Sequence, residues 1–276
     1  MGITRFQRVP FDSTLRPFLE VYWEMDRFDE QPADEPIPAV AVLHIVWHEG
    51  DISETRHNIN GQDEIVKLAG TIIAGLVDRP GKKIIFQGHV HALGITFTPL
   101  GLYHLLGVRP SLVMNDGLPY ADHCSYPLPE IYRFRKGQEG MQERVNEVQN
   151  WCMTLYKERV KEFSEVEKLI FNLRESLGKV KVFSLIEKQA SRNLERQFKS
   201  IMGMSPKHYA RLLRFNSALT LLSREPEIPL LEAVVRTGYY DVAHLCRDFK
   251  ALHGPLPTQW AKDPQAHTAY LIDPLK

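Results

Sequence analysis

The most constraining feature of the sequence is a run of 17 residues, from Pro206 to Leu222, that contains no internal helix breaker. Ser205 before Pro206 is typical of a helix start, because serine caps free amide groups and proline suits the first helical position. The apolar residues of the run recur at helical spacing: Tyr209, Leu212, Phe215, Leu219 and Leu222. The run therefore predicts a rod of about 26 Å at 1.5 Å per residue.

Two similar strings flank this rod. RNLERQFK (192–199) precedes it and AHLCRDFK (243–250) follows it, with Gly203 and Gly254 five residues after the respective phenylalanines. In each string the leucine and the phenylalanine are predicted to pack inward, which leaves Arg196 and Arg247 facing outward. Two basic helices on one rigid connector suit successive major grooves of DNA, which recur every ~34 Å.

The charge distribution supports an anionic partner for this part of the chain. Residues 1–175 carry 19 Lys and Arg against 25 Asp and Glu, whereas residues 176–262 carry 14 against 7. The whole chain has a formal charge of zero, so the basic C-terminal part is balanced by an acidic N-terminal part. Taken alone, such a basic stretch is also typical of a solvated helix face; nucleic acid is the first candidate partner.

The same residues carry a family resemblance. SRNLERQFKSIMGMSPKHYARLLRFNSAL, followed by TGYYDVAHLCRDFKALHGPLPTQW, closely resembles the DNA-binding domain of AraC/XylS transcription regulators. The matching region covers about 80 residues, roughly 180–260. LRPFLEVYWEMD and GITFTPLGLYHLLGVRP resemble, less closely, a sensor-type domain of unassigned function that often precedes this DNA-binding unit.

The resemblance implies two helix-turn-helix units, each inserting its second helix into the major groove of double-stranded DNA. The implied DNA-facing residues are Arg192, Asn193, Glu195, Arg196 and Lys199 in the first unit, and Val242, Ala243, Cys246, Arg247 and Lys250 in the second. Asp241 is expected to cap the second recognition helix, and His244 is expected to be structural.

The first unit departs from the family pattern at its turn. Lys188 stands where the family usually has glycine, and Ala190 stands where it usually has a capping serine, although Ser191 can cap one position later. Phe183-Ser184 replaces the usual Leu-Ala of the preceding helix. We therefore expect a first unit that is either distorted or binds the DNA backbone more than the bases.

The N-terminal hundred residues read as short strands between turns, which predicts a β-rich sandwich or small barrel of cupin-like type. The expected strands are 39–47, 65–76, 83–88 and 91–98, with Pro32–Pro38 as a breaker run, a turn at Asn60–Gly61 and a short helix over 99–106. Helical apolar stripes follow from residue 141 to 173. These helices either bridge the two halves or supply a dimer seam.

Histidines and aromatic residues of the N-terminal part suggest two further kinds of site. His89 and His91 share one strand face, and His44 and His48 share a face of another strand. One interpretation is a metal site. The other is coincidence, because the chain has eleven histidines. Trp23, Trp47, Tyr22 and Phe97 either line a ligand pocket or belong to the core.

These observations predict a multidomain α+β protein. Its expected parts are a β-rich sensor or dimerisation domain over residues 1–137, a helical connector over 138–175 and an all-α double helix-turn-helix domain over 176–264. We expect a cytoplasmic, non-enzymatic regulator that binds DNA, takes a small-molecule effector or partner, forms a homodimer, and has no cofactor and no membrane segment. The alternative is a cupin-like metal-dependent enzyme with a vestigial DNA-binding module.

Overall fold

The computed structural model describes residues 3–59, 62–124, 126–128, 140–160, 162–179 and 191–262. The N-terminal part is one antiparallel sheet of six strands: β1 (Ile3–Pro10), β2 (Leu19–Ile37), β3 (Leu43–Ile59), β4 (Gln62–Ala74), β5 (Lys82–Phe97) and β6 (Gly117–Pro119). Their order in the sheet is β1-β2-β5-β3-β4-β6. The predicted β-rich domain is confirmed.

The long strands bend and curl the sheet around a cavity. The register shifts between Asp29 and Ala33 in β2 and between Gly50 and Glu54 in the β3–β5 ladder. Gly50 has φ +83°, and a Cβ there would lie 2.2 Å from the carbonyl oxygen of His89, so this bend requires glycine. Trp23 lies near the start of β2, and Phe86 of β5 pairs with Ala33 near the other end of β2. Both side chains line the same cavity.

The strand boundaries differ from the sequence prediction at several points, and three of the differences have a structural reason. The segments expected as separate strands at 83–88 and 91–98 form the single strand β5, which passes through Gly88 at positive φ. The breaker run Pro32–Pro38 lies largely within β2. Pro32 falls in the register shift, where no ladder hydrogen bond is needed, and Pro36 is paired opposite Lys83. Residues 39–42 precede β3 and form no strand. The predicted turn at Asn60–Gly61 lies outside the described residues.

Helices cover the outer face of the sheet and continue into the C-terminal part. They are α1 (Pro99–Leu106), α2 (Tyr120–His123), α3 (Met141–Arg159), α4 (Glu165–Glu175), α5 (Arg192–Met202), α6 (Pro206–Arg224), α7 (Leu230–Thr237), α8 (Val242–Leu252) and α9 (Pro257–Lys262). Short 3-10 turns span Ser13–Leu15 and Pro110–Leu112. The helix predicted over 99–106 is α1.

One apolar core runs through both parts of the chain. It joins residues of the sheet, such as Ile45, to α3 and α4 and then to Phe215 and Trp260 in the C-terminal helices. The stripe of α3, including Val148 and Cys152, is buried within this core. The connector helices therefore use their apolar faces to bridge the two parts. The boundary predicted at 137/138 lies outside the described residues, and the division into domains stays a prediction.

Candidate nucleic-acid interface

Both recognition helices begin at a side-chain cap. The Leu194 amide of α5 donates to Ser191 Oγ over 3.2 Å, and the His244 amide of α8 donates to Asp241 Oδ1 over 2.6 Å. These bonds satisfy amides that have no partner within the helix. The caps expected at Ser191 and Asp241 are both present.

The first recognition helix, α5, separates a buried face from an exposed one. Phe198 and Met202 are fully buried and Leu194 is partly buried against the core. The residues that the family resemblance implies as DNA-facing are all exposed: Arg192, Asn193, Glu195, Arg196 and Lys199. Arg196 donates from Nη2 to Asn193 Oδ1 over 2.9 Å, so the guanidinium lies along the outer face of the helix.

The second recognition helix, α8, is built in the same way. Leu245 and Phe249 are fully buried. Of the five implied contacts, Ala243, Arg247 and Lys250 are exposed, whereas Val242 and Cys246 are half-buried. The outer face of α8 therefore presents two cations beside small apolar groups.

The rod between these helices is α6, and it extends two residues beyond the predicted end. Its 19 residues span about 28 Å at 1.5 Å per residue. Ser205 caps it, accepting from the His208 amide over 3.2 Å. The rings of Phe198 and Tyr209 lie 6.0 Å apart and those of Phe215 and Phe249 lie 5.1 Å apart, so each recognition helix packs directly on the rod.

A polar cluster that the sequence analysis missed joins α6 to α8. Asp248 is 3% exposed and accepts a hydrogen bond from Arg211 Nε over 2.7 Å, with Arg214 Nη2 at 3.7 Å. Arg214 also donates to the Gly178 carbonyl and lies over the ring of Tyr239. The available signal was a pair of arginines, three residues apart, on a helix with an otherwise apolar inner face.

His244 faces inward to this cluster. Its ring lies edge-on to Tyr239, with centroids 5.0 Å apart, and Nε2 is 3.8 Å from Asp248 Oδ2. Burial lowers the pKa of His244, while the carboxylate of Asp248 acts in the opposite sense. This placement agrees with the structural role expected for His244.

The helix and turn before α5 lie outside the described residues, which omit 180–190. The departures noted at Phe183, Ser184, Lys188 and Ala190 therefore stay predictions.

The cavity within the curled sheet has a volume of about 100 Å³. Its walls are mainly apolar, with Trp23, Met25 and Phe86 among them, and it also meets His48 and Lys82. Burial lowers the pKa of His48 to about 4 and that of Lys82 to about 8, the latter against the attraction of Asp116. His48 Nδ1 is buried and has no hydrogen-bond partner among the residues that the structure describes. A polar group facing an apolar space suits a ligand.

The four histidines considered as a metal site do not share a face of the sheet. His44 and His48 line the cavity, where His44 Nδ1 lies 3.0 Å from Thr96 Oγ1. His91 lies on the opposite face and contacts Asp26, and His89 is exposed. In the described part of the chain, no group of three or more His, Cys, Asp or Glu residues is arranged to hold a metal ion.

The four aromatic residues considered for a pocket divide in the same way. Trp23 lines the cavity, whereas Tyr22, Trp47 and Phe97 belong to the core between the sheet and the helices. Alternation along the strands separates Trp23 from its neighbour Tyr22.

Two protein families match the sequence. The family described as a helix-turn-helix domain matches residues 189–263, and a domain of unknown function, DUF6597, matches residues 7–119. The chain carries an AraC-type helix-turn-helix domain over residues 189–263. It is therefore a DNA-binding transcription regulator. No curated protein sequence matches it.

Solved structures of ToxT from Vibrio cholerae resemble this regulator over almost its whole length. An apo form with one lysine replaced by alanine superposes with a TM-score of 0.52 at 10% identity, covering 92% of this chain and 99% of ToxT. A wild-type form with a bound unsaturated fatty acid gives a TM-score of 0.49 at 9% identity, covering 95% and 96%. The first of these shows a shared fold of sheet domain and C-terminal helices. Within the described residues of this regulator, no helix has the length and apolarity needed to cross a membrane.

Proposed function

We propose that this regulator recognises a specific DNA sequence by placing α5 and α8 in successive major grooves. The observation that carries the proposal is the repeated construction at the two ends of α6. Each 11-residue helix has a side-chain cap and a fully buried phenylalanine, and presents an exposed arginine and lysine outward. Arginine can bond the guanine edge with two donors, and cations also neutralise phosphates.

The proposed division of labour follows from the two outer faces. On α5, Arg192, Asn193, Glu195, Arg196 and Lys199 offer polar groups to bases and phosphates. On α8, Val242, Ala243 and Cys246 offer small groups that suit thymine methyls, and Arg247 and Lys250 supply the cations.

We further propose that the cavity of the sheet domain binds the effector. Its volume of about 100 Å³ suits a compact molecule, since an apolar cavity of about 150 Å³ holds benzene. Among the described residues His48 Nδ1 has no hydrogen-bond partner, and the buried Lys82 Nζ donates only over 3.5 Å to the Asn115 carbonyl. Both groups suit a polar or acidic group at one end of that molecule. The homodimer and the cytoplasmic location stay predictions.

Selection of bound sites from random DNA by the full-length protein tests the DNA-binding proposal. We expect one enriched motif with two boxes about one helical turn apart. The Arg196→Ala variant should relax the box read by α5, and Arg247→Ala the other. Enrichment of no motif, or identical motifs from all three proteins, contradicts the proposed interface.

A thermal-shift screen of compact organic molecules tests the cavity. A true occupant should raise the melting temperature of the wild type but leave that of Ala92→Leu unchanged, because Ala92 lines the cavity and leucine fills it.

Metal analysis tests the alternative, a cupin-like metal-dependent enzyme. A stoichiometric metal ion in the purified protein would favour that alternative.

A further inference from the structure

We infer that Lys82 is a covalent binding site, at which the cavity of the sheet domain captures a compact aldehyde as an imine. The inference rests on the proposed effector cavity and names the chemical class of its ligand. It is carried by the burial of Lys82 in the cavity wall, by the weak bonding of its amine and by the apolar surroundings that protect an imine.

Lys82 is the first residue of β5 and its side chain lies in the wall of the cavity. It is paired with β2 on one side and with β3 on the other, so two strands fix its position. Side chains alternate along a strand, and Lys82 shares its face with Ile84 and Phe86, which also line the cavity. Lys82 is 9% exposed, whereas Lys83 is exposed. The strand thus places one lysine inside the cavity and the next one outside it.

The amine of Lys82 is weakly bonded and easily made neutral. Nζ donates to the Asn115 carbonyl over 3.5 Å, which is long for a hydrogen bond. Burial lowers the pKa of Lys82 to about 8, although Asp116 attracts the ammonium. The neutral amine is the nucleophile, and removal of water from around a lysine is a common way to activate it for imine formation. At neutral pH, a larger fraction of Lys82 than of an exposed lysine is therefore ready to react.

The loop beside this amine is held in place by its own hydrogen bonds. The Asn115 amide donates to the Leu76 carbonyl over 2.6 Å, and Asn115 Oδ1 accepts from the Asp78 amide over 2.9 Å. Asn115 has a φ of +62°, a left-handed conformation that asparagine tolerates better than most residues. The carbonyl that contacts Nζ is therefore fixed, and the amine has a defined position at the cavity wall.

Imine formation at this amine needs no oxidant or reductant. The lone pair of Lys82 Nζ forms a bond to the carbonyl carbon of the aldehyde, and one proton moves from the nitrogen to the carbonyl oxygen. The resulting hydroxyl group then leaves as water with the second proton of the nitrogen, and a carbon–nitrogen double bond forms. Asp116 lines the cavity, is exposed, and accepts the Gly117 amide at Oδ1 over 2.8 Å. Its carboxylate is therefore placed to exchange these protons with solvent.

The walls of the cavity favour an uncharged, compact ligand. Trp23, Met25 and Phe86 are buried side chains of these walls, and the exclusion of water by such groups slows hydrolysis of an imine. The volume of about 100 Å³ admits a small molecule. A carboxylic acid suits the site less well than an aldehyde, because Asp116 already attracts Lys82 and would repel a second carboxylate.

Reductive trapping tests the inference on the full-length protein. The probe is butanal, a compact aldehyde, added with sodium cyanoborohydride, which reduces an imine to a stable butyl amine. Peptide mass spectrometry then measures butylation at Lys82 and at its exposed neighbour Lys83. We expect Lys82 to react at least about tenfold faster, because desolvation keeps more of its amine neutral. In guanidinium chloride, which unfolds the protein, the two rates should become equal. Equal rates in the folded protein overturn the inference, and so does a preference for Lys82 that survives unfolding.

Substitutions separate covalent capture from simple occupancy of the cavity. Ala92→Leu fills the cavity and should slow butylation of Lys82 without changing that of Lys83. In a thermal-shift assay, butanal should raise the melting temperature of the wild type and of Lys83→Met, but not that of Lys82→Met. Lys82→Arg, which keeps the charge but forms no imine, replaces Lys82→Met if the latter does not fold. An equal shift in the Lys82 variant contradicts covalent capture.

Butyrate, the acid of the same chain length, separates failure of this inference from failure of the proposed cavity. A larger thermal shift with butyrate than with butanal, and no butylation of Lys82, overturns the imine but leaves the cavity as a site for an acidic effector. If neither compound shifts the melting temperature and Lys82 is not butylated, the inference fails, and the proposed cavity is judged by the wider screen. Recognition of DNA is tested independently by the selection of bound sites.

Discussion

Arg211 of the rod and Asp248 of the second recognition helix form a hydrogen-bonded ion pair, with Nε and Oδ1 2.7 Å apart. Asp248 is 3% exposed, and Arg214, 6% exposed, approaches its other oxygen. The pair joins α8 to α6 on the buried side of α8, whereas Arg247 is exposed. The DNA-facing residues of α8 therefore depend on a carboxylate that never reaches the surface.

Removal of this carboxylate should destabilise the C-terminal part. In Asp248→Ala, Arg214 keeps its bond to the Gly178 carbonyl but loses its acidic neighbour. A buried charge left without its partner costs about 3 kcal/mol, so we expect a free energy of unfolding lower by that amount in chemical denaturation. The control is Glu225→Ala, which breaks an exposed pair with Arg236 and should leave the melting temperature nearly unchanged. Equal losses in the two variants would contradict the role of Asp248.

Truncation of Phe249 should also unfold the second unit. The side chain is fully buried and packs edge-on against Phe215. Phe249→Ala should lower the free energy of unfolding by about 3–5 kcal/mol, the usual cost of a large core truncation. Tyr240→Ala, at a position 83% exposed, should change it by less than about 0.5 kcal/mol. An unaffected melting curve for Phe249→Ala would show that the inner face of α8 is assigned wrongly.

Local signals predicted the C-terminal helices well. The spacing from Tyr209 to Leu222 indicated the buried face of α6, and Ser205 and Asp241 indicated two helix starts. These features depend on residues within one or two turns of each other. The pairing of Asp248 with Arg211 joins residues 37 positions apart, and no local pattern specifies such a partner.

The sheet domain was harder to predict because strand pairing is not local. Gly88 reads as a break, yet β5 continues through it because β2 and β3 pair along both of its halves. Residues 39–42 look like a strand from their composition, but their backbone bonds the C-terminal helices at Asn216 and Leu252. The position of the cavity follows from the same curvature, which single-strand patterns do not contain.

Arg247→Ala should separate base recognition from phosphate contact. If Arg247 bonds a guanine, its loss weakens binding to the selected site by about 1–3 kcal/mol and relaxes one position of that site. The measurement is a titration with the selected site and with single-base variants at two or more salt concentrations. Arg79→Ala, an exposed arginine of the sheet domain, is the control. An unchanged base preference with a shallower salt dependence would identify a phosphate contact instead.

The buried His44 should make the sheet domain sensitive to acid. Burial lowers the pKa of His44 from 6.5 to about 4. As the pH falls from 6.5 to 4, His44 therefore binds a proton in the unfolded chain but not in the folded chain. Stability is therefore full above pH 6.5 and decreases below it, by about 3 kcal/mol at pH 4 from this group. His44→Gln should remove that part of the pH dependence, measured by urea unfolding at pH 7, 5.5 and 4. His123→Gln, at an exposed position, should keep the wild-type slope. A wild-type slope in His44→Gln would mean that His44 is protonated within the fold and that the cavity admits water.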